Sequence, residues 1–344
     1  MHTTRRHRPG KTERHRTTCR RLAAIGLVLL AAAAAGCSSS RSGPALPPPS
    51  VAHPLEGQIW DTAAQAFVST EEFLDRALRA RTVLLGEIHV NPEHHRIQAD
   101  VVSHLAGNSA GPAVVFEMFE VDQQANIDRA RETPGVEAGT IADVTGFRDS
   151  GWDWAMYGPL VETTLNLDLP LLAGNAPRAT VRGIATGQSG ALTAEQQARL
   201  DEPLPEPARA ALVAELVEGH CGYLPPGMEP GLMAAQRLRD ITMSDAIASA
   251  GERQTVLIAG SGHVRRDFGV PHYLPPDVPA SAMLVVSLTE VAHGENDPAA
   301  YLPGDAGEPV YDLLWFTRRT QREDPCEAFR EQLESMKNQL TAGP

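Results

Sequence analysis

Acidic and imidazole side chains recur just past apolar runs in this sequence. Thr82–Leu85 leads into Glu87 and His89, Ala113–Phe116 into Glu117, Leu169–Ala173 into Gly174 and Asn175, and Thr255–Ala259 into Gly260-Ser-Gly-His263. Each residue alone reads as a helix cap or a satisfied core group. Recurrence of one residue class at one geometric location points to chemistry. Carboxylates and imidazoles held together ligate a divalent metal or act as general acid and base. Glu87, His89, Glu117 and His263 are therefore candidate metal ligands, candidate catalytic groups for activating water, or members of a buried polar network.

Further residues join this set by spacing. Asn91–Pro92 starts a predicted helix in which His94, Ile97, Gln98, Val101 and Leu105 share one face, turning His94 toward the sheet. His95 is rotated by about 100° and is expected to look outward or toward a helical lid. Trp152-Asp-Trp-Ala-Met-Tyr157 concentrates aromatics in a chain that is only 5% aromatic, as a flat apolar ligand or a packed hinge would require. Gln236, Arg239, Asp240 and Met243 have one-face spacing, so Arg239 either pairs with Asp240 or meets a ligand carboxylate.

These residues need elements to position them. Ser69-Thr-Glu-Glu72 is a capping box ahead of the apolar stripe Phe73, Leu74, Ala77 and Leu78. Six short, unbroken apolar runs, the four above with Met283–Leu288 and Asp312–Phe316, alternate with amphipathic stretches. That pattern predicts an α/β fold, a parallel sheet flanked by helices. Ligands of such sheets bind outside the carboxyl ends of the strands. From about 176 to 250 only helices are predicted, at 193–200, 207–218 and 231–249. They read as a small inserted all-helical subdomain, a wall or lid over one end of the sheet.

Charge divides the chain. Residues 1–36 hold eight of the 30 Lys and Arg but one of the 43 Asp and Glu, leaving a body of 22 bases against 42 acids, net −20. So acidic a body repels phosphate backbones and makes nucleic acid an unsuitable partner. The Arg-rich start, the apolar run 22–36 and Ala34-Ala-Gly-Cys37 describe a lipoprotein signal peptide over 1–36 with Cys37 as the lipidated residue. Fifteen apolar residues are too few to span a bilayer, which takes about 20. Residues 37–54 read as a Ser/Pro-rich tether, 55–330 as the folded domain and 331–344 as a C-terminal helix or tail. The expected location is the bacterial cell envelope, with the domain outside the cytoplasm and anchored through its lipid. Cys221 and Cys326 remain as candidates for a disulfide, which sequence alone leaves open.

The motifs together resemble one family. Gly86-Glu-Ile-His89 followed by His94-His95-x-x-Gln98 looks like the opening of the ChaN family, haem-binding bacterial lipoproteins of the Tiki-like superfamily. Phe116-Glu-Met-Phe119, Trp154-x-x-Tyr157, Gly174-Asn-Ala-Pro-Arg178, His220-Cys-Gly222, Met233-x-x-Gln236-x-x-Arg239-Asp240, Gly260-Ser-Gly-His263 and Asp324-Pro-Cys-Glu327 continue it in order over roughly residues 55–330. The resemblance implies haem held non-covalently for iron uptake at an interface between two protomers, a Tyr iron ligand, and polar side chains on the propionates. Tyr157 lies in a matching motif and is the expected ligand, with His94, His95, Asn175, Arg178 and Arg239 as further cofactor-binding candidates. The wider superfamily implies an alternative, a metal-dependent or acid–base hydrolase using Glu87, His89, Glu117 and His263.

Overall fold

The computed structural model describes residues 53–330 except 109, 189–191, 223, 225–226, 277, 304–308, 323–325 and 328–329. The signal-like segment, Cys37 and the tail after residue 330 therefore lie outside the described residues. The chain opens with a short hairpin, β1 (Ile59–Asp61) and β2 (Ala66–Val68), and then α1 (Thr70–Arg79), whose N-cap Ser69 accepts from Glu72 N–H. β3 (Thr82–Glu87), α2 (Pro92–Ala106) and β4 (Ala113–Glu120) follow. Three helices come next, α3 (Gln124–Arg131), α4 (Ala138–Thr145) and α5 (Trp154–Asn166), and then β5 (Leu171–Asn175). Between β5 and β6 (Thr255–Gly260) stand α6 (Arg178–Ala185), α7 (Ala194–Asp201), α8 (Glu206–Gly219) and α9 (Glu229–Ser249), with no strand among the described residues. A short α10 (Val270–Tyr273), β7 (Met283–Glu290) and β8 (Leu313–Thr317) complete the fold.

The eight strands form one sheet in the order β2-β1-β8-β7-β3-β6-β4-β5. From β8 to β5 every pairing is parallel, and these are the six strands expected from the apolar runs. The sheet as a whole is mixed, because β1 runs antiparallel to both β2 and β8. The hairpin escapes sequence analysis because each arm has three residues and the β2 arm is largely exposed, leaving no apolar run to detect.

Alternation along β3 shows why both faces are covered. Val83 and Leu85 pack with Phe73, Ile97 and Val101 beneath α1 and α2, whereas Leu84 packs with Val285, Met243 and Ile247 beneath α9. A strand buried on both sides favours a continuous apolar run, which β3 supplies with Val83, Leu84 and Leu85 before Gly86 and Glu87. Cys221, just past α8, forms a disulfide with Cys326, tying the helical stretch to the segment after β8 across 105 residues.

Candidate functional site

The strand order places β3, β6, β4 and β5 side by side, so Glu87, His89, His263, Glu117 and Asn175 gather at one sheet edge. Close approach there depends on small residues. A Cβ on Gly86 would sit 2.5 Å from Val264 and 2.9 Å from Ser261 Cα, so only glycine lets the loop after β6 lie against β3. The register of β4 against β5 slips between Phe116 and Glu120, an irregularity at the end of β4 that carries Glu117.

The polar residues sort into two groups. Glu87 is buried and accepts four hydrogen bonds. Its Oε1 takes the Tyr157 hydroxyl at 2.6 Å and His89 Nδ1 at 3.0 Å, and its Oε2 takes Gln98 Nε2 at 2.6 Å and His95 Nδ1 at 3.1 Å. Burial opposes ionisation, yet the donated bonds and the positive field of His89 and His95 win, holding the Glu87 carboxyl down at about 2. Burial likewise opposes protonation of His89 and His95, but Glu87 outweighs it and raises both.

The second group is centred on His263. Its Nδ1 meets Asp240 Oδ1 at 2.6 Å and its Nε2 meets Glu117 Oε1 at 3.3 Å. Glu117 Oε2 also accepts the Gly260 N–H at 2.8 Å. All three side chains are buried. Flanked by two carboxylates, His263 is pushed up despite its burial, Glu117 is pulled down, and desolvation raises Asp240. Gln236 lies 3.2 Å from both His263 ring nitrogens, and its Oε1 accepts from Arg239 Nη1 at 3.2 Å. Arg239 therefore pairs with Gln236 while Asp240 is taken by His263, so the expected Arg239–Asp240 pair does not form. Gln236 and Asp240 were legible only as one face of a helix; their partner follows 23 to 27 residues later.

Several expectations need correction. Tyr157 is buried, and its hydroxyl donates to Glu87 Oε1 and stands 3.3 Å from His89 Nδ1. Burial and the Glu87 charge push that hydroxyl well above the ordinary phenol range. His94 faces the sheet as its spacing predicts, but it accepts from Ile88 N–H at 2.9 Å and donates to Thr317 Oγ1 at 2.7 Å, leaving nothing for a cofactor. Burial lowers it to about 4, keeping the ring neutral. His95 is buried rather than outward-facing, because α5 packs over α2 and sets the Tyr157 ring 4.5 Å from it. Among the described residues no group of three His, Cys, Asp or Glu side chains is arranged to hold a metal ion. The expected divalent site fails because each carboxylate is already engaged, Glu87 by four donors and Glu117 by two groups.

Beside these groups lies a cavity of about 470 Å³, within the ~300–1,000 Å³ typical of small-molecule and cofactor sites. Its wall includes His89, Trp152, Asn175, Arg178, Arg239 and His263. Asn175 donates to the Glu117 carbonyl, while its buried Oδ1 has no partner among the described residues. Arg178 is exposed at the rim, bonded to the Ser150 carbonyl. Two guanidinium groups and an aromatic wall suit a flat ligand that bears carboxylates.

Comparison with known proteins decides the family. Residues 73–274 match the model of the haem-binding uptake family ChaN, Tiki superfamily. The chain belongs to this family. Among solved structures, the ChaN of Campylobacter jejuni, described as binding haem cofacially, superposes with a TM-score of 0.60 at 22% identity, covering 75% of this chain and 95% of that one. The likeness shows a shared ChaN fold. The type III effector HopBA1 aligns at 0.42 with 9% identity over 72% of this chain and 92% of its own, too shallow to bear on function. Comparison with curated proteins found no match. The edge residues thus stand around a cavity that offers cations for carboxylates and aromatic surface for a ring, with Glu117 and Glu120 also in its wall.

Proposed function

We propose that this protein is a lipid-anchored haem-binding protein of the bacterial envelope, serving haem and iron uptake. The observation that carries the reading is the match of residues 73–274 to a haem-binding uptake family. Bound haem would supply an iron centre and two carboxylates. Arg178 and Arg239 would hold the carboxylates, and Trp152, Phe147 and Met118 would cover the macrocycle. Cys37 would carry the lipid, with residues 38–50 as the tether. The cofacial binding described for the Campylobacter relative supports two protomers closing around haem.

The tyrosine ligand implied by the family resemblance finds no open hydroxyl among the described tyrosines. Tyr157 donates to Glu87, Tyr273 accepts from Arg237, Tyr301 donates to the Glu295 carbonyl and Tyr311 to the Ser261 carbonyl. Tyr223 lies outside the described residues. The hydrolase alternative requires one of Glu87, His89, Glu117 and His263 as a base poised near neutral pH; both carboxyls are held down at about 2, and neighbouring carboxylates raise both imidazoles. Titrating the purified protein with haemin tests the proposal. A saturable Soret shift supports it; stoichiometric zinc or manganese with no haem affinity would sink it.

A further inference from the structure

Two motifs of the sequence take no part in the cavity, His220-Cys-Gly222 and Asp324-Pro-Cys-Glu327, and the disulfide joins them. Cys221 follows the C-cap of α8, and Cys326 lies on the segment after β8. Both residues are half-buried, at the surface and not in the core. Cys221 holds φ at +57°, in the left-handed region, and Gly222 follows at +74°. A residue with a β-carbon is strained there. Strained or exposed bridges are the ones that reductants open.

The bridge stands at the end of a lightly rooted helix. α8 buries Ala208 and Leu212, which join Leu204 and Phe268 in a small cluster apart from the two cores that flank the sheet. An element held by so few apolar contacts opens at lower cost than the sheet does. Yet α8 bears on the cavity. Its Glu215 carboxylate lies so close to Gly262 that a Cβ there would run into it, and Oε2 is 3.7 Å from Arg265 Nη1. Arg265 in turn lies over the Phe268 ring, 4.4 Å from its centroid. Gly262 and Arg265 bracket His263, which the same loop carries into the cavity wall.

We propose that the Cys221–Cys326 bridge is a redox latch on the cavity wall. Oxidised, it holds α8 against the His263 loop; opened by a dithiol, it releases α8, loosens that wall and weakens ligand capture. The reaction is thiol–disulfide exchange. One thiolate of the dithiol attacks a bridge sulfur, the S–S bond breaks, and the other cysteine leaves as a thiolate and takes up a proton. The second thiolate of the reductant then attacks the mixed disulfide, so the dithiol ends as a disulfide and the protein as two thiols. Two electrons and two protons pass from the dithiol to the protein. A plain staple behaves differently, because a bridge across 105 residues then acts mainly by restricting the unfolded chain. The effect on ligand capture rests on the haem reading above; the release of α8 does not.

The test takes the two parts separately. The oxidised full-length protein is treated with dithiothreitol, and backbone hydrogen exchange is followed by mass spectrometry beside thiol alkylation. The bridge should open in the folded protein, and α8 should exchange at least tenfold faster while β3 and β6 keep their protection. The Cys221→Ser/Cys326→Ser double variant should show the same fast exchange in α8. It should also bind haemin at least fivefold more weakly than the oxidised wild type. A bridge that opens only as the sheet unfolds, an α8 unchanged on reduction, or an unchanged haemin affinity in the double variant overturns the latch. Absence of a haem spectrum from the oxidised wild type overturns the haem reading itself, and the exchange of α8 then decides the latch alone.

Discussion

Tyr157 gives its hydroxyl to Glu87 Oε1 at 2.6 Å, and the hydroxyl oxygen stands 3.3 Å from His89 Nδ1. Tyr157 and Glu87 are 70 positions apart, and their bond pins α5 to the end of β3. Tyr157→Phe removes one donor to an ionised carboxylate, a loss of about 1.5–3 kcal/mol. The variant should melt lower in urea, yet its haemin titration should match wild type. Complete loss of the Soret shift in a folded Tyr157→Phe protein would contradict the inward role of this hydroxyl.

Glu87 couples the fold to pH. Its carboxyl titrates at about 2 in the fold against 4.5 ordinarily, so its stabilisation is fully present above pH 4.5 and is lost as pH falls toward 2. Melting temperature should therefore drop through that window, and Glu87→Gln should flatten the drop while lowering stability at neutral pH.

His94 acts in a different window. Burial lowers it from 6.5 to about 4, so stability is complete above pH 6.5 and erodes as pH falls toward 4, where the unfolded chain binds the proton first. His94→Ala should remove this part of the pH slope. It should also cost about 1–3 kcal/mol at neutral pH by stranding the Ile88 N–H. Haem affinity should be unchanged, because the ring lies on Thr317 and not on the cavity wall.

Gly260 tests the space around His89. In Gly260→Ala the added carbon meets Cε1 and Nε2 at 3.0 and 3.1 Å, and the half-exposed imidazole is the group that must give way. Haem binding should weaken more than stability falls, a split readable from a haemin titration beside a thermal melt.

The sequence exposed the parts of this molecule that are written locally. Unbroken apolar runs marked the six parallel strands, and the residues just past four of them marked the sheet edge. The helix spacing correctly turned His94 inward. The same spacing sent His95 outward, because what buries it is α5, some 60 residues later and silent in the periodicity of α2. The surroundings of Tyr157 were hidden for a similar reason. Its motif is legible, but the direction of its hydroxyl depends on where β3 ends. The pairing of Asp240 with His263 in place of Arg239 reflects helix-to-loop docking, which one-face spacing does not encode.

The position of β3 at the centre of the sheet sets an order of events. Its neighbours β6 and β7 begin at Thr255 and Met283, so Thr82 waits for partners made 173 and 201 residues after it. Pairing across such separations is slow, since the loop must close before any contact rewards it. Glu87 and His89 consequently emerge from the ribosome long before Gly260 and His263. A chain stopped short of residue 255 carries the first half of the pocket with nothing to lean on, and ligand capture is the privilege of the nearly finished polypeptide.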